Sequence, residues 1–290
     1  MRYGVFSVSM PEYEPFEALE LLAALGYDGV EWRVTRDDGD MTRPMFWSGN
    51  RTSMAAEDLI AQADRLKARA KDLGLEMPSL ATYIDCFGRS REDPEGGLKA
   101  VELHMQAAVS VGAKSLRIGA GQYAKEGPAY PEQVEAVRAQ YSQVAHLAAQ
   151  HGVRALIETH MGQLAPTVAT ALRILEGLDP AHVGIMWDPG NQVTEGREDY
   201  SMALEMAGEY LGEVHVKNAV YEPVGEVQGQ IVWRTRQAPV QRGIANWPEI
   251  MAALKKIGYD GWFFFEDFST DLPVEQRLKE NLAWFRGLAG

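Results

Sequence analysis

The chain has 290 residues, 46% hydrophobic and 24% charged, which is ordinary for a globular protein and long enough for one large α/β barrel. Its net charge of −13, without a visible basic stripe, argues against a nucleic-acid partner. The chain has no apolar run of roughly 20 residues to cross a membrane, and its N-terminal apolar run is too short for a signal peptide. The chain has a single cysteine, Cys86, which we expect to pack in the core. A lone thiol cannot form an internal disulfide, so these features together predict a cytoplasmic protein.

One local pattern recurs five times along the chain: a helical stretch ends in glycine, and a short apolar run follows at once. Glycine adopts the left-handed backbone of a helix cap without steric cost, so each occurrence indicates a helix-to-strand connection. Strands that alternate with helices predict parallel pairing and right-handed crossovers. The five glycines are Gly26, Gly74, Gly112, Gly152 and Gly258.

The pattern predicts eight strands alternating with eight helices. The strands are expected at about 3–8, 28–33, 76–82, 114–119, 153–159, 182–188, 212–217 and 261–266. The helices are expected at about 15–25, 55–73, 95–111, 131–151, 167–178, 199–210, 247–257 and 273–288. Eight such units predict a single α/β domain over residues 1–290, a (β/α)₈ TIM barrel. The rival is an open doubly wound sheet, but the chain has no glycine-rich phosphate loop.

Two predicted connections are longer than usual for such units, at about 34–54 and 218–246. Both would follow strands and therefore lie at the carboxyl face, where barrel enzymes hold their active sites. The first carries Trp47, and the second carries Trp233 and several arginines. We expect both loops to cover a site.

Four consecutive predicted strands each end in a side chain that can bind a metal ion: Glu158, Asp188, His215 and Glu266. Alone, each has an ordinary explanation, such as a turn aspartate or a hydrogen-bonded core histidine. Together they are hard to explain without a cation, because buried charges without partners are costly. A mostly oxygen ligand set favours Mn²⁺, with Mg²⁺, Co²⁺ or Zn²⁺ as alternatives. A metal there can polarise a carbonyl while a neighbouring carboxylate removes the adjacent proton, which gives an enediolate.

The chain resembles the xylose-isomerase-like TIM-barrel superfamily of sugar isomerases and epimerases, inosose dehydratases and apurinic endonucleases. The resemblance extends from Gly26-Tyr-Asp-Gly-Val-Glu31 to Phe265-Glu266 and includes the His-x-Lys pattern at His215-Val-Lys217. It implies that the four strand-end residues bind one metal and that Glu158 and Glu266 form the catalytic acid/base pair. It also implies a carbohydrate substrate and a homo-oligomer, for which the residues carry no independent signal.

Several further residues are candidates for substrate binding: His160, Lys217, Asn191, Arg242 and Glu31. His160 and Glu158 share a strand face, so His160 either contacts substrate or hydrogen-bonds behind the ligands. Asn191 stands where many family members have histidine, which puts the substrate contacts in doubt and disfavours the endonuclease branch. Arg242 begins a stretch that resembles the family's entry to the seventh helix. Glu31 either touches a sugar hydroxyl or forms a buried ion pair with Arg33.

The leading hypothesis is therefore a divalent-metal-dependent sugar isomerase or epimerase that abstracts a proton next to a carbonyl. The first alternative is a metal-dependent lyase, either an inosose-type dehydratase or a 3-oxo-glycoside deglycosidase. The second is a non-catalytic sugar-binding barrel. The sequence leaves the sugar and its phosphorylation state open.

Overall fold

In the computed structural model, which describes residues 1–91 and 93–289, eight parallel strands close into one barrel inside a ring of helices. The strands are β1 (Arg2–Phe6), β2 (Gly29–Val34), β3 (Glu76–Thr82), β4 (Ser115–Arg117), β5 (Arg154–Glu158), β6 (Val183–Trp187), β7 (Leu211–Val216) and β10 (Trp262–Phe265), with β8 (Asn218–Val227) and β9 (Gln230–Ala238) outside the barrel. The helices are α1 (Pro15–Leu25), α2 (Ala56–Leu73), α3 (Leu98–Val111), α4 (Tyr130–His151), α5 (Val168–Leu175), α6 (Asn191–Thr194), α7 (Tyr200–Ala207), α8 (Trp247–Lys256) and α9 (Val274–Ala289).

The strands follow one another around the barrel in chain order, and β10 closes it between β7 and β1. This arrangement confirms the predicted (β/α)₈ TIM barrel. The predicted glycine caps are also present; for example, Gly26 and Gly74 end α1 and α2 with φ of 84° and 71°. Among the described residues, no helix combines the length and apolar character that crossing a membrane requires.

Strand alternation divides the core between the two sides of the barrel wall. In β10, Phe263 and Phe265 point outward and pack on Phe285 of α9. Phe264 points inward, where its ring stacks on Trp262 with 5.5 Å between centroids. The outer layer buries the apolar stripes of the helices, which is the main stabilising contribution of the fold. The polar residues that also point inward must therefore find partners inside the barrel.

The predicted loop at 218–246 is corrected by the structure, since most of it is regular. Strands β8 and β9 form an antiparallel hairpin, closed by Gln228 and Gly229 with φ of 52° and 83°. A two-residue turn with both φ values positive matches the twist of the strands that it joins. Val34, the first residue of the predicted loop at 34–54, is the last residue of β2. The rest of this loop contains no named helix or strand, and an isolated bridge from Val34 to Met54 closes it.

Candidate metal centre and active site

The carboxyl ends of four consecutive barrel strands bring together the four predicted ligands. Glu158 is the last residue of β5, Asp188 follows β6, His215 lies near the end of β7, and Glu266 follows β10. All four are buried, and one ligand-type atom from each lies within 4.8 Å of the others. Parallel strands in a closed barrel end on the same face, so residues far apart in sequence converge there.

The ring of His215 is held by Glu31, a residue of β2 on the other side of the barrel. His215 Nε2 lies 2.8 Å from Glu31 Oε2, and both side chains are fully buried. This contact turns Nδ1 toward the cluster, 3.3 Å from Glu266 Oε1 and 3.7 Å from Glu158 Oε1. Nδ1 is buried and makes no well-aligned hydrogen bond within the described residues, as expected of a histidine oriented by a carboxylate to bind a metal ion.

Asn191 connects two of the carboxylates. Its Nδ2 lies 3.0 Å from Glu158 Oε1 and 2.8 Å from Asp188 Oδ2, and its backbone N–H donates to Asp188 Oδ1. The backbone N–H of Asp188 in turn donates to the Thr159 hydroxyl at 2.8 Å. These bonds hold both carboxylates in place, so Asn191 positions them from behind.

Two permanent cations compensate part of the negative charge. Lys217 Nζ lies 2.8 Å from Asp188 Oδ2 and also pairs with Glu266. Arg117, at the end of β4, donates to Glu158 and, at 2.9 Å, to the carbonyl of Thr82.

The pKa directions show which carboxyls these cations hold ionised. Burial opposes ionisation of Glu158, but Arg117 holds its pKa at about 2. Burial likewise opposes ionisation of Glu266, but Lys217 and His215 hold its pKa well below the usual range. Burial raises the pKa of Asp188 well above its usual value despite Lys217, and the two neighbouring glutamates add to the effect.

The charge balance tests whether the residues fit a divalent ion. Glu31, Glu158, Asp188 and Glu266 supply four carboxylates, against the two cations Arg117 and Lys217 and one histidine. Burial lowers the pKa of His215, but Glu31 and Glu266 raise it well above its usual value, so the cluster favours additional positive charge. A divalent cation would favour the ionised form of Asp188 and the neutral form of His215, and its two charges would then balance the four carboxylates against Arg117 and Lys217. The oxygen-rich donors suit Mn²⁺, Mg²⁺ or Zn²⁺.

A cavity of about 1090 Å³ opens from this cluster to the carboxyl face. Its lining includes Glu158, Glu266, Lys217, His160 and Arg117, so both glutamates are within reach of a bound molecule. His160 lies beyond the end of β5, and its Nδ1 is 2.8 Å from the carbonyl of Met161. Its pKa is lowered, mainly because burial disfavours the charged imidazolium, although Glu158 opposes this shift.

Three predicted substrate contacts lie elsewhere. Among the described residues that line the cavity, Glu31, Asn191 and Arg242 are absent. Glu31 is enclosed within the barrel, with both oxygens used by His215 and Ser79, and it makes no ion pair with Arg33. Asn191 is buried behind the carboxylates, and Arg242 is exposed on a short 3-10 turn before α8.

Sequence reasoning missed Arg117, which pairs with a predicted ligand and lines the cavity. An available signal was its position as the one charged residue in the short strand β4, Ser115-Leu-Arg117. A charge between apolar neighbours on a buried strand indicates a polar partner inside the barrel. The partner itself, 41 residues away, could not be read from the sequence.

A family model described as xylose isomerase-like TIM barrel matches residues 19–288. Among curated proteins, an inosose dehydratase of Geobacillus thermodenitrificans is 29% identical over 142 residues, 46% of this chain and 47% of that protein. The match thus spans about half the length of that relative.

Two solved structures share the architecture over nearly their full length. The 3-keto-D-glucoside 4-epimerase YcjR from E. coli superposes with a TM-score of 0.72 and 19% identity, and the match covers 99% of both chains. The IOLI protein with a binding zinc atom has a TM-score of 0.72 and 16% identity, and the match covers 100% of this chain and 98% of that one. At such identities the likeness establishes the barrel fold.

Proposed function

The chain belongs to the xylose isomerase-like TIM barrel family, and from this premise we propose that it is a divalent-metal-dependent sugar isomerase or epimerase. The observation that carries the proposal is the convergence of four ligand-type side chains at the base of a cavity that two of them, Glu158 and Glu266, also line. Glu158, Asp188, His215 and Glu266 would hold the ion, with Mn²⁺ as our first choice. Bound there, the ion would polarise a substrate carbonyl and stabilise the negative charge that develops on its oxygen.

Glu158 and Glu266 are the proposed acid/base pair. Arg117 and Lys217 keep these carboxylates ionised, so each can accept a proton from a carbon next to a carbonyl. Protonation of the same carbon from its opposite face by the other glutamate would give an epimer. Protonation of the neighbouring carbon, with a proton moving between the two oxygens, would give an isomer. Asn191 holds Glu158 Oε1 by a hydrogen bond, which limits rotation of the carboxylate during transfer.

Lys217 and His160 are the proposed substrate contacts. Both line the cavity beside the carboxylates, and each can form hydrogen bonds with sugar hydroxyls. Lys217 already pairs with Asp188 and Glu266, so its ammonium is fixed near the reacting carbon.

Proton exchange in D₂O tests the proposal directly. The protein supplied with Mn²⁺ should incorporate deuterium next to the carbonyl of at least one member of a panel of keto-sugars. We expect Glu158→Gln and Glu266→Gln to lower exchange by about 10²–10⁴-fold. Glu226→Gln, on the exposed hairpin, is the matched control and should exchange at the parent rate. Full exchange in either active-site variant would contradict the assigned role.

A second candidate is a metal-dependent lyase, which the match to inosose dehydratases favours. The first step is the same proton abstraction, but a hydroxyl group then leaves from the neighbouring carbon. His160 lies where it could protonate that leaving group, if it is itself first protonated. Mass spectrometry of the products separates the two reactions, because an epimer keeps the mass of the substrate whereas dehydration releases one water.

A further inference from the structure

The cavity above the carboxylate cluster is larger than one sugar ring needs. Its volume of about 1090 Å³ lies just above the range of roughly 300–1,000 Å³ that is usual for small-molecule pockets. The ligand-type side chains occupy its base, and the loops after β2, β3 and β4 raise its walls. A single pyranose at the base would leave the outer part of this cavity unfilled.

One wall of the outer part is aromatic. Phe268, just beyond Glu266, has its ring 5.5 Å from Lys217 Nζ, so the wall begins beside the catalytic groups. Trp47, in the loop after β2, continues it with a ring centroid 4.6 Å from that of Phe268. Trp47 lines the cavity although its side chain is 50% exposed. An exposed indole in a cavity wall offers a flat apolar surface on which a ring can stack.

Two amides with unused hydrogen-bonding capacity also line the cavity. Gln163 lies in the loop after β5, and Gln237 lies near the end of β9. Within the part of the chain that the structure describes, the Oε1 atoms of both are buried without a hydrogen-bond partner. Buried amide oxygens are normally satisfied, so both are available to accept hydrogen bonds from a bound molecule. No side-chain hydrogen bond among the described residues joins Gln163 or Gln237 to the carboxylate cluster.

The charges in the cavity favour a neutral outer group, because the described lining holds six Lys or Arg side chains, Arg36 and Arg91 among them, and six Asp or Glu side chains. The buried arginines Arg33 and Arg117 are already paired, with Asp37 at 2.8 Å and with Glu158 respectively. A phosphate would have to compete with these carboxylates. A flat apolar face combined with hydroxyl donors is the chemistry of a second sugar ring.

We propose that the substrate is a glycoside with a second sugar ring, which stacks on Trp47, while Gln163 and Gln237 offer hydrogen-bond acceptors elsewhere in the cavity wall. The inference rests on the proposed function, because that function places the reacting sugar at Glu158 and Glu266. It makes the outer subsite the part of the cavity that distinguishes a disaccharide from a free monosaccharide.

Calorimetric titration of the full chain, supplied with Mn²⁺, tests the subsite. The probes are D-glucose and three disaccharides of D-glucose: cellobiose, maltose and trehalose. At least one disaccharide should bind about tenfold more tightly than glucose, the effect of one good aromatic contact. Trp47→Ala should remove most of that advantage and change the Kd of glucose less than about twofold. Trp233→Ala is the matched control, since this exposed hairpin tryptophan does not line the cavity.

Three results would overturn the proposal: no disaccharide binds more tightly than glucose, Trp47→Ala weakens glucose and disaccharide equally, or Trp233→Ala acts like Trp47→Ala. In another outcome, 4-nitrophenyl glucoside binds more tightly than glucose in a Trp47-dependent way while no disaccharide does. The subsite would then accept an aromatic group, and the proposal of a second sugar ring would be wrong. Glu158→Gln should keep the preference for the disaccharide. If the preference persists and no variant or parent exchanges protons, the subsite stands and the proposed isomerase function fails.

Discussion

Replacing Glu31 should weaken metal binding although Glu31 is not itself a proposed ligand. Its Oε2 holds His215 Nε2 at 2.8 Å, and its Oε1 accepts from the Ser79 hydroxyl at 2.8 Å. Glu31→Ala removes the group that orients the imidazole. A hydrogen bond to a charged group contributes about 1.5–3 kcal/mol, so the affinity for Mn²⁺ should fall roughly 10–100-fold.

Glu31→Gln separates the loss of charge from the loss of the hydrogen bond. The glutamine oxygen can accept a hydrogen bond from His215, and its amide can donate one to Ser79. The affinity for Mn²⁺ should therefore fall by less than about tenfold. The assay is calorimetric titration of metal-free protein with Mn²⁺, with circular dichroism to confirm that each variant is folded. Glu76→Gln, an exposed carboxylate on β3, is the control and should bind as the parent does. Parent affinity in a folded Glu31→Ala variant would refute the reasoning.

Three further predictions concern stability and reactivity. Arg117→Met leaves the buried Glu158 charge unpaired and should lower the free energy of unfolding in urea by about 3–5 kcal/mol; a loss under about 1 kcal/mol would contradict the pairing. Cys86 is fully buried and burial raises the pKa of its thiol, so iodoacetamide should alkylate it only after unfolding, and rapid reaction of the folded protein would show exposure. Burial opposes ionisation of Asp37, but backbone N–H groups of its own loop lower its pKa below 3.8. Asp37→Asn should therefore lower the free energy of unfolding most at neutral pH and progressively less below about pH 4. A loss of stability that does not change with pH would show that ionised Asp37 does not stabilise the loop.

The helices and barrel strands were largely predictable, because their signals are local. Apolar periodicity and glycine caps depend on neighbouring residues, and the observed α2 at Ala56–Leu73 differs by one residue from the predicted 55–73. The short helix α6 was missed, since four residues are too few to show a period. The hairpin was missed because its turn is Gln228-Gly229 rather than the Asn-Gly that usually marks such turns.

The candidate site was predictable in part. Strand alternation and position at the carboxyl ends were enough to select the four residues that the structure brings within 4.8 Å. The substrate contacts stay predictions, and sequence alone selects them poorly because a polar residue on an inward strand face can serve the cavity or another side chain. Glu31 serves His215, which is 184 residues away in the sequence.

The sequence by itself determined the barrel, the face that carries the chemistry and the residue types delivered there. Apolar periodicity, helix caps and strand alternation are properties of a few consecutive residues, so they can be recognised before the tertiary structure is known. Only the tertiary structure decided how these side chains pair: Glu31 with His215, Arg117 with Glu158, and Trp47 with Phe268 in the cavity wall. Such pairings depend on the closure of the barrel and on the paths of its loops, which bring distant strand ends to contact distance.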